Sequence, residues 1–134
     1  MTKLNNFPIL PSDENVIGII GGGQLGKMIA LSASKAGYKT HLYCPKGDNP
    51  AVTAVDKITY GKWDDYNKLV EFSNEVFCAT SEFENIPSKS LELLSNKTKV
   101  VPSSLVFRCA QIRSKEKEMA LKSGFNIPKW FLIK

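Results

Sequence analysis

The chain has a single histidine, His41, and three cysteines, Cys44, Cys78 and Cys109, that lie far apart with none of the paired spacing a structural zinc site needs. That scarcity excludes a metal cluster built on sulfur and imidazole. It also excludes a disulfide-stapled secreted scaffold, and free thiols in apolar segments fit a reducing, cytoplasmic setting. Arginine is scarce as well: the net charge is +5, but of the 18 basic residues all except Arg108 and Arg113 are lysines scattered along the chain. Nucleic-acid recognition leans on arginine forks and basic runs interleaved with aromatics, and neither is present, so solvated surface lysines explain the charge. No apolar run approaches the roughly 18 residues of a membrane span. The first stretch, with Lys3, Asn5, Asn6, Pro8 and Pro11, carries no secretory core, and residues 1–14 read as a flexible lead-in to a soluble protein. The Gly-Lys-Ser/Thr ending of a Walker loop is missing too.

What is present is an alternation. Val16, Ile17, Gly18, Ile19 and Ile20 form an apolar run suited to a strand buried on both faces. Leu25, Met28, Ile29 and Ala33 then recur at helical spacing up to Gly37, a natural helix stop. Further strands are predicted over 40–43, 57–60, 76–79 and 99–101. Helices are predicted over 64–72, 88–94, from Ser103 or Ser104 as cap to 110, and 114–122, the last stopped by Gly124. Strands separated by short helices give an α/β chain with a Rossmann-like, doubly wound parallel sheet, in which ligands gather at the carboxyl ends of the strands.

Two motifs fall at such ends. Gly21, Gly23 and Gly26 form G-x-G-x-x-G between the first strand and first helix, either as an anion cradle or simply as a tight turn, with Gly26 there for close helix-to-strand packing. A dinucleotide site would also want an acid after the second strand, where this chain has Tyr43, Cys44 and Pro45, so a small NAD(P)-binding oxidoreductase domain is the second reading. Ser81-Glu82-Phe83-Glu84-Asn85-Ile86-Pro87 puts two carboxylates and an amide after a strand. If the extended conformation persists, Glu82 and Glu84 share a direction and Phe83 is buried opposite. Glu84 and Asn85 serve equally well as supports of the following helix N-terminus. His41, inside a predicted strand, reads as packed rather than catalytic.

Together, Ile17-Gly18-Ile19-Ile20-Gly21-Gly22-Gly23-Gln24-Leu25-Gly26-Lys27-Met28, the Glu82-Phe83-Glu84-Asn85-Ile86-Pro87 box, Pro102-Ser103, and Gln111, Arg113, Glu116 and Lys117 ahead of Gly124, Ile127 and Pro128 resemble the N-terminal part of N5-carboxyaminoimidazole ribonucleotide synthetase. The resemblance implies a pre-ATP-grasp domain over 15–128. It implies an ATP-dependent ligase of purine biosynthesis that joins bicarbonate to the amine of 5-aminoimidazole ribonucleotide, with Mg2+, through carboxyphosphate. On that basis Gly23, Gln24, Leu25, Glu82, Glu84 and Asn85 are the expected ribotide contacts and Arg113 the expected ATP contact; no catalytic or metal-binding residue is assigned. The family is compatible with a homodimer. Two departures stand out: Ile112 replaces the acid relatives carry before the arginine, and residues 129–134 read as the opening strand of a truncated ATP-grasp module. The expectation is therefore a domain that holds neither ATP nor Mg2+ fully and does not turn over alone, or a non-catalytic remnant working with a separate chain.

Overall fold

The computed structural model describes residues 10–133; residues 1–9 of the expected lead-in and Lys134 lie outside that range. Five strands, β1 (Ile17–Ile20), β2 (Thr40–Cys44), β3 (Lys57–Tyr60), β4 (Cys78–Ser81) and β5 (Lys99–Val100), form one sheet in the order β3-β2-β1-β4-β5. All pairings are parallel, with Ile17 opposite both Thr40 and Cys78. The helices are α1 (Gln24–Lys35), α2 (Tyr66–Asn74), α3 (Ser88–Ser95), α4 (Ser104–Ala110) and α5 (Arg113–Lys122), with a 3₁₀ turn at Pro50–Ala54. The chain runs outward from β1 to β3 and then crosses to β4 on β1's other side. The switch point therefore lies between β1 and β4, where doubly wound sheets hold ligands.

The period-2 alternation of β1 and β2 splits the core in two. Ile19, Leu42 and Cys44 pack with Ala30 and Ala51 on one face, while Ile20 and Tyr43 pack with Leu69, Phe72, Leu91, Leu94 and Phe107 on the other. Gly18 in mid-strand follows from this: a Cβ there would lie 2.8 Å from Phe72 Cζ, so the ring occupies the missing side chain's place. His41 lies in the same wall, edge-on to Phe72 with centroids 4.8 Å apart, so the packed reading of this residue holds.

The first helix departs from its periodicity. It buries Gly26, Ala30 and Ala33 and leaves Leu25 and Met28 exposed, although these two read with Ile29 as part of its apolar face. Close approach is the reason: a Cβ on Gly26 would stand 2.6 Å from the Gly21 carbonyl oxygen, so the contact line admits only small residues. Helix α2 starts two residues later than expected because the Asp65 carboxylate accepts from the Lys68 amide at 3.2 Å and caps it there. Strand β4 likewise begins at Cys78, its ladder preceded by the Phe77 amide donating to Val16 O at 2.9 Å. Ser103 occupies the N-cap of α4 but makes no side-chain cap bond. At the near end, residues 10–15 are tied down by Asn15 Nδ2 donating to Leu10 O at 2.8 Å and by the Asp13–Lys39 ion pair at 2.6 Å. Helix α5 has no buried residue, and Phe125, Phe131, Leu132 and Ile133 after it are exposed.

Candidate functional site

At the switch point the end of β1 turns sharply: Gly21 has φ +107°, a conformation glycine adopts without strain, and its amide donates to Tyr43 O at 3.0 Å. From the neighbouring strand the Glu82 amide donates to Ile20 O at 3.1 Å, which brings the Glu82 side chain over the loop. Its Oε1 accepts the Gly23 amide at 3.0 Å, and a Cβ on Gly21 or Gly23 would come within 2.7 Å or 2.9 Å of that oxygen. Gly23 is the N-cap of α1, whose first turn has no acid of its own, so Glu82 supplies negative charge from across the sheet at the positive end of the helix dipole. Gly23, Gln24, Leu25 and Glu82 are thus brought together. An open groove of about 670 Å³ leads from Glu82 and Ser81 along Leu25, Met28, Ile29 and Ser32.

The outer wall of the loop comes from a residue that motif reading passed over. A Cβ on Gly22 would lie 2.2 Å from Asn49 Oδ1, so the Asn49 side chain fills the space beside that glycine. Asn49 Nδ2 donates to Pro45 O at 2.8 Å and Gly47 O at 3.1 Å, and the Ala51 amide donates to Gly22 O at 2.9 Å. The signal available in the sequence was the Asn-Pro pair that opens the 3₁₀ turn.

The acidic box needs a correction. Strand β4 ends at Ser81, whose Oγ accepts the Phe83 amide at 3.3 Å and lies 3.0 Å from Phe83 O, so the chain turns instead of staying extended. Phe83 is consequently 41% exposed, not buried opposite the carboxylates, and Ile86 fills the core at 1% exposure. Glu84 and Asn85 sit on the exposed turn, and Glu84 does not share Glu82's strand direction. Neither caps α3, whose N-cap is Pro87 without a side-chain bond. Arg113 stands apart as the first residue of α5, paired with Glu116 in its own helix.

At the opposite end of the sheet, His41 Nε2 lies 2.8 Å from Thr59 Oγ1, while Nδ1 is 3.2 Å from Glu75 Oε2 but off the line of a hydrogen bond. Burial pushes its pKa down to about 4, with Glu75 opposing and Lys57 reinforcing the shift, so the ring is neutral at pH 7. Burial also raises the thiols of Cys44 and Cys78, which suits packing rather than nucleophilic chemistry. Among the described residues no group of three or more His, Cys, Asp or Glu is placed to hold a metal ion. No helix among them is long and apolar enough to cross a membrane.

A five-stranded parallel sheet with helices and a glycine loop at its switch point defines a Rossmann-like, doubly wound α/β domain. More narrowly, the chain belongs to the ribonucleotide synthetase pre-ATP-grasp domain family, whose model matches residues 15–111. It is 34% identical over 119 residues to the N5-carboxyaminoimidazole ribonucleotide synthase of Brucella melitensis, covering 89% of this chain and 33% of that protein. An ADP complex of N5-carboxyaminoimidazole ribonucleotide synthetase superposes with TM-score 0.80 and 34% identity over 87% of this chain and 30% of the other. The Aspergillus clavatus enzyme in complex with ADP and 5-aminoimidazole ribonucleotide does so with TM-score 0.73 and 25% identity over 84% of this chain and 30% of the other. The chain spans a third or less of the length of the curated relatives it matches.

Proposed function

We propose that this chain is the ribotide-side domain of an ATP-dependent ligase that carboxylates 5-aminoimidazole ribonucleotide with bicarbonate in purine biosynthesis, a cytoplasmic reaction. The observation that carries the reading is the Glu82 carboxylate seated on the Gly23 amide at the switch point, in a chain of this family. Gly23, Gln24, Leu25 and Glu82 form the inner contact set for the ribotide. Glu84 and Asn85 form its outer edge, their side chains exposed on the turn. A carboxylate accepts from ribose hydroxyls or a ring amine, and the Gln24 amide both donates and accepts. Arg113 serves the ATP polyphosphate, for which an exposed guanidinium at a helix N-terminus has the right reach and charge. ATP with Mg2+ supplies the activation of bicarbonate, and the residues of this chain bind and orient the ribotide. The pre-ATP-grasp unit is taken as 15–128, with 129–134 opening the next module. A dinucleotide fits less well: the place at the end of β2 that should hold an acid is Cys44, which is fully buried.

Calorimetric titration tests this directly. 5-Aminoimidazole ribonucleotide is expected to bind the chain, and Glu82→Gln to weaken it about tenfold or more, the worth of one charged hydrogen bond. NAD and NADP are the controls. A low-micromolar dissociation constant for either, about 8 kcal/mol of binding, would replace this reading with the oxidoreductase one.

A further inference from the structure

The Gln111 side chain lies at the elbow where α4 ends and α5 begins, as the C-cap of α4 and the residue before the N-cap of α5. Its Nε2 approaches two backbone carbonyls of the acidic turn, Glu84 O at 2.7 Å and Ile86 O at 2.6 Å. Two carbonyls on one atom settle which end of the amide is there, because an oxygen in that place would face two acceptors while the NH2 group has one hydrogen for each. The front of the turn is held by Ser81 Oγ, which bonds the Phe83 amide, and the rear by Gln111. Inside the front fixing, between Ser81 and Phe83, lies Glu82, whose carboxylate reaches the Gly23 amide.

We propose that Gln111 is a positioning residue: it clamps the acidic turn to the α4–α5 elbow, and through that turn it fixes the Glu82 carboxylate on the glycine loop. The proposal rests on the ribotide reading for its consequence, which is that Gln111 sets ribotide affinity without touching the ribotide. Because Arg113 follows two residues later on the same elbow, the clamp also makes the arginine and the acidic turn one mechanical unit. Ile86, buried in the core, keeps the turn attached when the clamp is removed, so loss of Gln111 loosens the turn without unfolding the domain.

The test uses the whole chain and three variants. Gln111→Ala removes the clamp, Gln111→Glu keeps its shape without its donors, and Gln111→Lys restores a donor of similar reach. Amide hydrogen exchange followed by NMR reports the Gly23 amide, which Glu82 accepts, against the Leu42 amide in the interior strand β2 as the measure of global opening. In Gln111→Ala and Gln111→Glu the Gly23 amide is expected to lose about tenfold of its protection relative to Leu42, with recovery in Gln111→Lys. Gly23 protection that stays in step with Leu42 in Gln111→Ala overturns the proposal, whether or not the Glu variant folds. Titration of the same samples with 5-aminoimidazole ribonucleotide separates the two readings. No binding by the unsubstituted chain defeats the ribotide reading and leaves the Gly23 result to decide on Gln111. Equal binding by the unsubstituted chain and Gln111→Ala defeats the role in affinity.

Discussion

The switch point and the α5 arm carry the two halves of the proposed ligand set, yet they are built in opposite ways. Around Gly21, Gly22 and Gly23 every space a side chain would fill is already taken by Glu82 or Asn49, and the backbone is bonded to β2, to the 3₁₀ turn and to the Glu82 carboxylate. Helix α5 buries nothing, packs against α4 and presents Arg113 paired with Glu116. The contrast teaches that one half of the proposed ligand set is preorganised by packing while the other is held through a single elbow. It also matches the reach of the family model, which ends at Gln111, just before the arm.

The strongest test of the contrast is to cut equally into both regions. Phe72→Ala removes the ring that fills Gly18's missing side chain and is expected to cost about 3–5 kcal/mol in urea denaturation, whereas Leu121→Ala on exposed α5 should stay within about 0.5 kcal/mol. Comparable losses at the two positions would show that Leu121 is buried against more than α4.

Acid should act on the sheet and not on the arm. His41 has a folded pKa of about 4, below its value near 6.5 in the unfolded chain, so between those pH values the unfolded state binds more protons. The His41 contribution to stability is therefore constant above about pH 6.5 and falls as pH drops through that window, by roughly 2–3 kcal/mol between pH 7 and pH 4.5. Denaturation of His41→Gln over the same range should show that much less pH dependence, and an unchanged slope would mean the ring is not the group responsible.

A smaller effect is expected at the loop's outer wall. Asn49→Ala takes away two donated hydrogen bonds and opens space beside Gly22, with an expected loss of about 1–2 kcal/mol and faster proteolysis between β2 and β3. The smallest effect belongs to Arg113→Ala. Its ion pair is exposed, so thermal denaturation should not move by more than about 0.5 kcal/mol, while in a full-length relative carrying the equivalent change the KM for ATP should rise about tenfold. A destabilised Arg113→Ala chain with unaltered ATP use would place the arginine in the structural half of the comparison.

The same contrast governs what the sequence disclosed. The β1–glycine loop–α1 unit, the alternation of strands and helices and the buried His41 were legible because each depends on local pattern: period 2, period 3.6 and glycine punctuation. The buried face of α1 was misread because Gly26 brings the helix close to the sheet, and a close contact inverts the usual rule that the largest apolar residues face inward. Phe83 and Ile86 exchanged roles because period 2 assumes that the strand continues, while Ser81 ends it with a side-chain bond no periodicity carries. Asn49 and Gln111 were not seen as site-builders because they act on backbone carbonyls and glycines brought close only by the fold.

The Gly26–Gly21 contact has a consequence for how the domain receives a ligand. With the first turn of α1 resting directly on the end of β1, backbone to backbone, neither can move without the other, and no side chain lies between them to act as a cushion. The glycine loop is then a fixed jaw. Adjustment to an arriving molecule falls to the side chains of Glu82 and of the exposed residues on the clamped turn that follows it, so the entropy of ordering is confined to a few rotatable bonds on one side of the cleft.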